Sequence, residues 1–280
     1  MKKILVPTDF SDQAENALKV AAQLAKNYDA EIYLLHMLEL PAQLIDPTLD
    51  GNPNSLPEAI YFMKLARKRF SDVLSSDYLD GLTVYETVQF NEAFEGIMTF
   101  SNENDVDLVV MGSHGASGFK EIFIGSNTEK VVRNSDIPVL VVKNELEVSK
   151  VKSMVYATDL MPKNRDSFLE AVNFAKKMDL EMHVVYINTA NKFKTDEYIN
   201  KKKAVFFKDV DFDNYSFDLY GAESIEKGIL KFAAFKKASL IGVSTHGRKG
   251  IAHFLNGSIS EDLVNHAKIP VITFKIKEQD

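Results

Sequence analysis

Two hydrophobic patterns alternate along the chain. Short uninterrupted apolar runs, typical of strands buried on both faces of a parallel sheet, occur at 32–35, 108–111 and 139–142. Between such runs, apolar residues recur with the helical period. The two clearest helical faces consist of Ala14, Ala17, Leu18, Ala21, Leu24 and Ala25, and of Phe168, Ala171, Val172, Ala175 and Met178. This alternation predicts βαβ units with right-handed crossovers, and hence a doubly wound α/β sheet.

The pattern occurs twice. A Thr-Asp pair follows an apolar strand at 8–9 and again at 158–159, a spacing of 150 residues. An Ile-Pro-Val strand start occurs at 137–139 and at 269–271, a spacing of 132. The difference of 18 residues is assigned to a proline-rich stretch at 40–57, which predicts a long loop. The 280 residues therefore divide into two predicted domains, 1–146 and 147–280, here called the first and second repeats.

A glycine-spaced loop follows one buried strand in each repeat. The first copy reads Gly112-Ser113-His114-Gly115, nine residues, then Gly125-Ser126; the second reads Ser244-Thr245-His246-Gly247, nine residues, then Gly257-Ser258. Glycines expose main-chain amides, and a helix start adds unpaired N–H groups with partial positive charge. A loop of this kind predicts an anion site built from the backbone, without a lysine.

Simpler interpretations stay open beside this one. Ser126 and Glu129 have the spacing of a capping box, and Asp9 could cap the first helix together with Ser11. No Walker loop, Rossmann fingerprint or Gly-x-Ser-x-Gly elbow occurs, and no acidic pair stands beside the loop. We therefore assign no catalytic residue and no metal ligand. The absence of cysteine excludes thiolate metal sites, and a net charge of −7 disfavours nucleic acid as a partner.

The loop, placed before a helix that ends at Ile-Pro-Val, resembles that of the universal stress protein family, in its nucleotide-binding branch and in tandem form. The resemblance covers essentially the whole chain. It implies two flavodoxin-like, Rossmann-like α/β domains, each a five-stranded parallel sheet flanked by helices, paired through their last strands. It also implies adenine contacts by Asp9 and Met37, and phosphate and ribose contacts by the glycine loop. The implied nucleotide-binding residues are Pro7, Asp9, Met37, Met111, Gly112, His114, Gly115, Gly125, Ser126, Asn127 and Thr128.

The second repeat departs from this pattern at Ser244, which adds a β-carbon where the backbone should approach a ligand. Its weaker candidate site consists of Asp159, Ile187, Ser244, Gly247, Gly257 and Ser258. The resemblance implies a cytoplasmic stress-response protein that binds ATP, or AMP or ADP, with magnesium as an optional companion, and acts as a sensor or regulatory module. Any enzyme activity would be slow ATP hydrolysis or autophosphorylation. The alternative is a nucleotide-free structural or interaction module of the same fold. An exposed last strand would also allow a homodimer, and no membrane segment is expected.

Overall fold

The computed structural model describes residues 1–39, 55–113, 124–245 and 259–276, with only the backbone at 55–59. Within these ranges strands and helices alternate, as the hydrophobic pattern predicts, except where the strand Val139–Val142 is followed by the strand Ser153–Ala157 with no α-helix between them. The strands are β1 (Lys3–Pro7), β2 (Glu31–Met37), β3 (Val84–Gln89), β4 (Leu108–Gly112), β5 (Val139–Val142), β6 (Ser153–Ala157), β7 (Glu181–Thr189), β8 (Tyr215–Ala222), β9 (Leu240–Thr245) and β10 (Val271–Lys275). The helices are α1 (Asp12–Tyr28), α2 (Ser55–Leu74), α3 (Ala93–Glu103), α4 (Ser126–Asn134), α5 (Arg165–Met178), α6 (Asp196–Phe206), α7 (Ile225–Lys236) and α8 (Ile259–His266).

One compact unit comprises Met1–Lys120, Gly125–Val131 and Val142–Leu146. Its strands β1 to β4 are parallel and lie in the order β3-β2-β1-β4. The central strand is β1, where Ile4 lies opposite Ile32 of β2 on one side and Leu108 of β4 on the other. The chain thus leaves β1 on one side and returns on the other. The carboxyl ends of β1 and β4 therefore form the switch point where doubly wound sheets bind ligands.

Helix α1 packs on this sheet and has a defined start and end. The hydroxyl of Ser11, the N-cap, accepts a hydrogen bond from the amide of Ala14 at 3.3 Å. The helix ends at Asp29, which takes the left-handed conformation with φ of 51°. The predicted apolar face is buried throughout, with Ala17 and Leu18 at 0% and 2% exposure. Its small alanines allow the helix to approach the strands closely.

The other compact unit comprises Glu121–Ile124, Val132–Val141 and Glu147–Asp280. It contains five parallel strands in the order β8-β7-β6-β9-β10, with β5 antiparallel to β10 so that Leu140 lies opposite Ile272. The 150-residue repeat spacing extends to the backbone. Asp179 ends α5 at φ 52°, as Asp29 ends α1, and Leu160 has φ 57° where Phe10 has φ 63°.

The boundary predictions have different outcomes. The predicted loop at 40–57 ends too late, because α2 already begins at Ser55; residues 40–54 lie outside the described ranges. Pro57 is compatible with this helix because the first turn leaves its N–H groups unpaired anyway. The division into domains 1–146 and 147–280 stays a prediction. Residues Val132–Val141 group with the later part of the chain, which is consistent with the pairing of β5 with β10.

Candidate functional site

The end of β4 and the start of α4 are joined by two hydrogen bonds. The amide of Gly125 donates to the carbonyl of Ser113 at 2.8 Å, and the Thr128 hydroxyl donates to the carbonyl of Gly112 at 2.9 Å. Ser113 and Thr128 are 1% and 5% exposed, so both bonds are shielded from water. The two halves of the predicted anion loop therefore lie side by side at the carboxyl edge of the sheet.

The first turn of α4 presents main-chain amides. The first intrahelical hydrogen bond runs from the amide of Glu129 to the carbonyl of Gly125 at 3.0 Å. Gly125 is therefore the N-cap, and Ser126 is the first residue of the helix. The capping-box interpretation, with Ser126 as the cap, is out of register by one residue. The amides of Ser126, Asn127 and Thr128 precede the first intrahelical donor and point out of the positive end of the helix dipole.

Packing alone requires a glycine at position 112. A β-carbon on Gly112 would lie 2.8 Å from both the carbonyl carbon and the carbonyl oxygen of Gln13, and 3.0 Å from the Gln13 β-carbon. The first turn of α1 thus rests on the last residue of β4. The sequence predicted a glycine here for its exposed amide and did not identify Gln13. A consequence is that the first turn of α1, which follows Asp9 by a few residues, lies against Gly112.

Local hydrogen bonds fix the shape of the Asp9 turn. The Asp9 carboxylate accepts from the amide of Ser11 at 3.0 Å, and the Thr8 hydroxyl accepts from the amide of Phe10 at 3.0 Å. Phe10 has φ of 63°, a conformation rarely adopted by a bulky residue. The capping interpretation of Asp9 is correct in part, because Ser11 is the helix cap and the Asp9 carboxylate binds the Ser11 amide; the adenine contact stays a prediction. One Asp9 oxygen is engaged in this way in the folded chain.

Met37, at the end of β2, packs against a helix glycine. A β-carbon on Gly96 of α3 would lie 2.1 Å from the terminal methyl of Met37. The second repeat has the same arrangement: Gly228 follows Gly96 by 132 residues, Ile187 follows Met37 by 150, and a β-carbon on Gly228 would lie 2.6 Å from Ile187. These glycines let the helix approach the strand end and hold the predicted adenine-lining side chain in place. The sequence did not identify this role.

An aromatic cluster that the sequence did not predict lies beside the Asp9 turn. The rings of Phe10 and His36 have centroids 4.6 Å apart, and Phe10 and Phe70 lie 5.1 Å apart. His36 Nδ1 is 2.8 Å from the carbonyl oxygen of Thr8, so Nδ1 carries the proton. The Arg69 guanidinium lies 5.7 Å from the Phe10 ring centroid. The signal in the sequence that could have pointed to this cluster is the position of His36 directly before Met37.

In the second repeat, Ser244 stands at the position of Gly112, and its hydroxyl forms hydrogen bonds with two other hydroxyl groups. Ser244 Oγ lies 2.6 Å from Tyr156 Oη and 2.9 Å from Ser167 Oγ. Tyr156 and Ser167 are both completely buried. Burial raises the pKa of Tyr156 to about 12 and keeps the phenol neutral. The corresponding residues of the first repeat, Val6 and Ala17, have no hydroxyl with which to form such a network.

Asp159 also differs from Asp9. Its Oδ1 accepts from the amide of Met161 at 3.0 Å, and in addition from the side-chain nitrogen of Asn164 at 2.5 Å. The first repeat has Ala14 at the position of Asn164. In the second repeat, Asp159 and Ser244 are thus both engaged in hydrogen bonds within the chain.

The comparisons agree with this architecture. The profile of the Universal stress protein family matches residues 1–143 and 221–275. The chain belongs to the universal stress protein family. The two matched regions are consistent with tandem universal stress protein domains, and the mostly parallel sheet with flanking helices is the expected Rossmann-like α/β fold.

The chain matches some universal stress proteins over about half of its length and others over nearly all of it. The chain is 34% identical to universal stress protein MJ0531 of Methanocaldococcus jannaschii over 51% of this chain and 82% of the relative. It is 22% identical to universal stress protein Slr1230 of Synechocystis sp. over 98% of this chain and 100% of the relative. A crystal structure of a universal stress protein from Archaeoglobus fulgidus matches 99% of this chain and 97% of its own, with a TM-score of 0.73 at 21% identity. At that identity the match establishes the fold alone.

The remaining predicted site residues of this universal stress protein have the following positions. Pro7 ends β1, and Met111, buried at 5% exposure, precedes Gly112 in β4. Five predicted residues lie outside the described part of the chain: His114, Gly115, Gly247, Gly257 and Ser258.

The described part of the chain contains no group of three or more His, Asp or Glu side chains able to hold a metal ion. Over the ranges that the structure covers, none of the helices combines the length and apolarity required to cross a bilayer.

Proposed function

We propose that the first repeat binds one adenine nucleotide at the carboxyl ends of β1 and β4, and that the chain acts as a sensor or regulatory module in a cytoplasmic stress response. The observation that carries this proposal is the pair of hydrogen bonds from Gly125 to Ser113 and from Thr128 to Gly112. They hold the start of α4 against the end of β4, so that the amides of the first helical turn face one region.

The phosphates would bind to these amides. Ser126 is exposed and Asn127 is half-buried, so an anion can reach the helix start from solvent. Backbone N–H groups combined with the helix dipole stabilise phosphate without a counter-charge from lysine. A magnesium ion would bind only together with the nucleotide phosphates, because magnesium is commonly bound through phosphate oxygens and water. Efficient phosphoryl transfer is not part of the proposal; at most the site would hydrolyse ATP slowly or transfer phosphate to the chain itself.

The adenine would bind near Asp9 and Met37. Asp9 lies four residues before Gln13, whose backbone contacts Gly112, so the adenine and phosphate ends of the proposed site belong to neighbouring segments. Its Oδ1 accepts from the Ser11 amide, which orients the carboxylate, and a carboxylate is a suitable acceptor for the adenine amino group.

The second repeat would have little or no nucleotide affinity. Ser244 adds a side chain where the first repeat has glycine, and its hydroxyl is bound to Tyr156 and Ser167. Asp159 is held by Asn164. We also propose that the last strands of the two repeats pair, supported by the antiparallel register of Val141 with Val271.

An equilibrium titration with ATP tests this function, using a matched pair of variants. Asp9→Ala should weaken ATP binding by about tenfold to a hundredfold, the range expected when a charged hydrogen-bond acceptor is lost. Asp159→Ala, the same change at the equivalent position, should leave the affinity unchanged. Gly125→Val should abolish binding because its side chain would stand against the phosphates. Absence of saturable binding below about 1 mM for the unaltered protein would exclude the function.

A nucleotide-free module is the second candidate. It is favoured by the fact that the amide of Gly125 and the carbonyl of Gly112 are already bonded within the chain, and that packing on Gln13 alone explains a glycine at 112. The two functions differ in a simple observation. A nucleotide retained through purification would dominate the ultraviolet absorption near 260 nm, since the chain has no tryptophan.

A further inference from the structure

The chain just before α4 is held by a residue of the second repeat. The amide of Ile124 donates to the Asn265 side-chain oxygen at 2.6 Å, and Ile124 is 8% exposed. Asn265 lies in the last turn of α8. Both residues belong to the same compact unit. Ile124 directly precedes Gly125, the N-cap of α4, so this bond fixes the chain one residue before the proposed phosphate-binding amides.

The other end of α4 is held in the same way. Arg133 Nε lies 3.7 Å from a carboxylate oxygen of Glu261 in α8, whose side chain is 10% exposed. The ammonium of Lys275 in β10 donates to the carbonyl of Asn134 at 3.3 Å and lies 3.4 Å from the Asp136 carboxylate. A cation at this position also opposes the negative end of the helix dipole.

The two repeats differ at the position that forms the first of these contacts. Asn265 corresponds to Arg133 at the 132-residue spacing, so a short amide in the second repeat stands where the first repeat has a long cation. An asparagine oxygen accepts a hydrogen bond from a backbone amide, whereas a guanidinium cannot accept one. The contact with Ile124 therefore depends on a residue specific to the second repeat.

We propose that Asn265 is a positioning residue for the nucleotide site of the first repeat: by binding the amide of Ile124 it sets the place of the Gly125 cap and the first turn of α4. This inference rests on the proposed function for its effect on nucleotide affinity. Its structural part, the positioning of α4, does not depend on a nucleotide.

Amide hydrogen exchange in the full-length protein without nucleotide tests the structural part. Asn265→Ala should accelerate exchange at Ile124 by about tenfold, as expected for the loss of one net hydrogen bond. Asn265→Asp retains an acceptor oxygen and should preserve the protection. His266→Ala is the matched control, because His266 lies next in α8 but pairs with Glu226 at 2.6 Å. Unchanged exchange at Ile124 in Asn265→Ala would overturn the proposal.

Titration of the same variants tests the effect on the site. Asn265→Ala should weaken ATP binding by about fivefold or more while leaving adenosine binding unchanged, because only the phosphate end is displaced. A general loss of stability would instead weaken the binding of both ATP and adenosine. Equal ATP affinity in Asn265→Ala and the unaltered protein would overturn the proposal.

If the unaltered protein binds no nucleotide, the proposed function fails and the exchange experiment alone decides the role of Asn265. Asn265→Gln, whose oxygen is displaced by one methylene, provides the same test if Asn265→Ala does not fold.

Discussion

Adding one methyl group at Gly112 probes the contact that connects the two parts of the candidate site. In Gly112→Ala the new β-carbon would lie 2.8 Å from the backbone carbonyl of Gln13. Ordinary contact begins at 3.4 Å, so the first turn of α1 must withdraw by the difference of 0.6 Å. Unlike a flexible side chain, this neighbour is helix backbone held by the Ser11 cap, and it cannot rotate away.

The expected cost is that of overpacking a dense interior, about 1–3 kcal/mol. For a chain of this size each kcal/mol corresponds to a decrease in Tm of about 2–4 °C. Scanning calorimetry should therefore record a clear decrease for Gly112→Ala. The matched control is Gly221→Ala in β8, where the nearest atom to the new β-carbon is 4.0 Å away and no decrease is expected.

The same substitution should also weaken ATP binding, because Gln13 follows the Asp9 turn by a few residues and moves with it. If Gly112→Ala melts at the same temperature as the unaltered protein, the close approach of α1 to β4 is not the constraint that the geometry indicates. If it melts lower but binds ATP equally well, the packing is correct and its connection to the site is not.

Three further changes test other contacts. Thr128→Val removes the hydroxyl that binds the carbonyl of Gly112 and should lower the unfolding free energy by about 1–2 kcal/mol, measured by urea denaturation. Gly96→Ala places a methyl group against the terminal methyl of Met37; this flexible side chain should rotate, leaving Tm nearly unchanged while ATP affinity falls in titration. Tyr156→Phe tests the raised pKa of Tyr156. Since the pKa of about 12 in the folded protein exceeds the ordinary value of 10.0, the contribution of the neutral phenol to stability should be fully present below pH 10. It should be lost as the pH rises toward 12, by about 3 kcal/mol. The variant should lose this part of the pH dependence, and an identical alkaline decline in both proteins would contradict the assignment.

The sequence predicts the fold well because its hydrophobic patterns are strong. Uninterrupted apolar runs such as 108–111 correspond to buried strands, and the alanine-rich period after Ser11 corresponds to α1. The duplicated Thr-Asp and Ile-Pro-Val positions predict two equivalent sets of elements. Helix boundaries are less well determined, because Gly125 and Ser126 are both acceptable caps and only the bond from Glu129 to Gly125 distinguishes them.

Contacts between distant segments could not be predicted in this way. The approach of Gln13 to Gly112, and the bond from Ile124 to Asn265, join residues about 100 or more positions apart that share no motif. The hydroxyl network of the second repeat was signalled only by Ser244, a departure from glycine. Tyr156 occupies a position where an apolar strand residue was expected, so its phenol attracted no functional interpretation.

The most direct test of the central claim is the response of backbone amides to nucleotide, followed by NMR. Addition of ATP should shift the amide resonances of Ser126, Asn127 and Thr128 strongly, adenosine should shift them little, and the equivalent amides at the start of α8 should not respond. Unchanged resonances at the start of α4 under saturating ATP, or changes confined to the second repeat, would contradict the account.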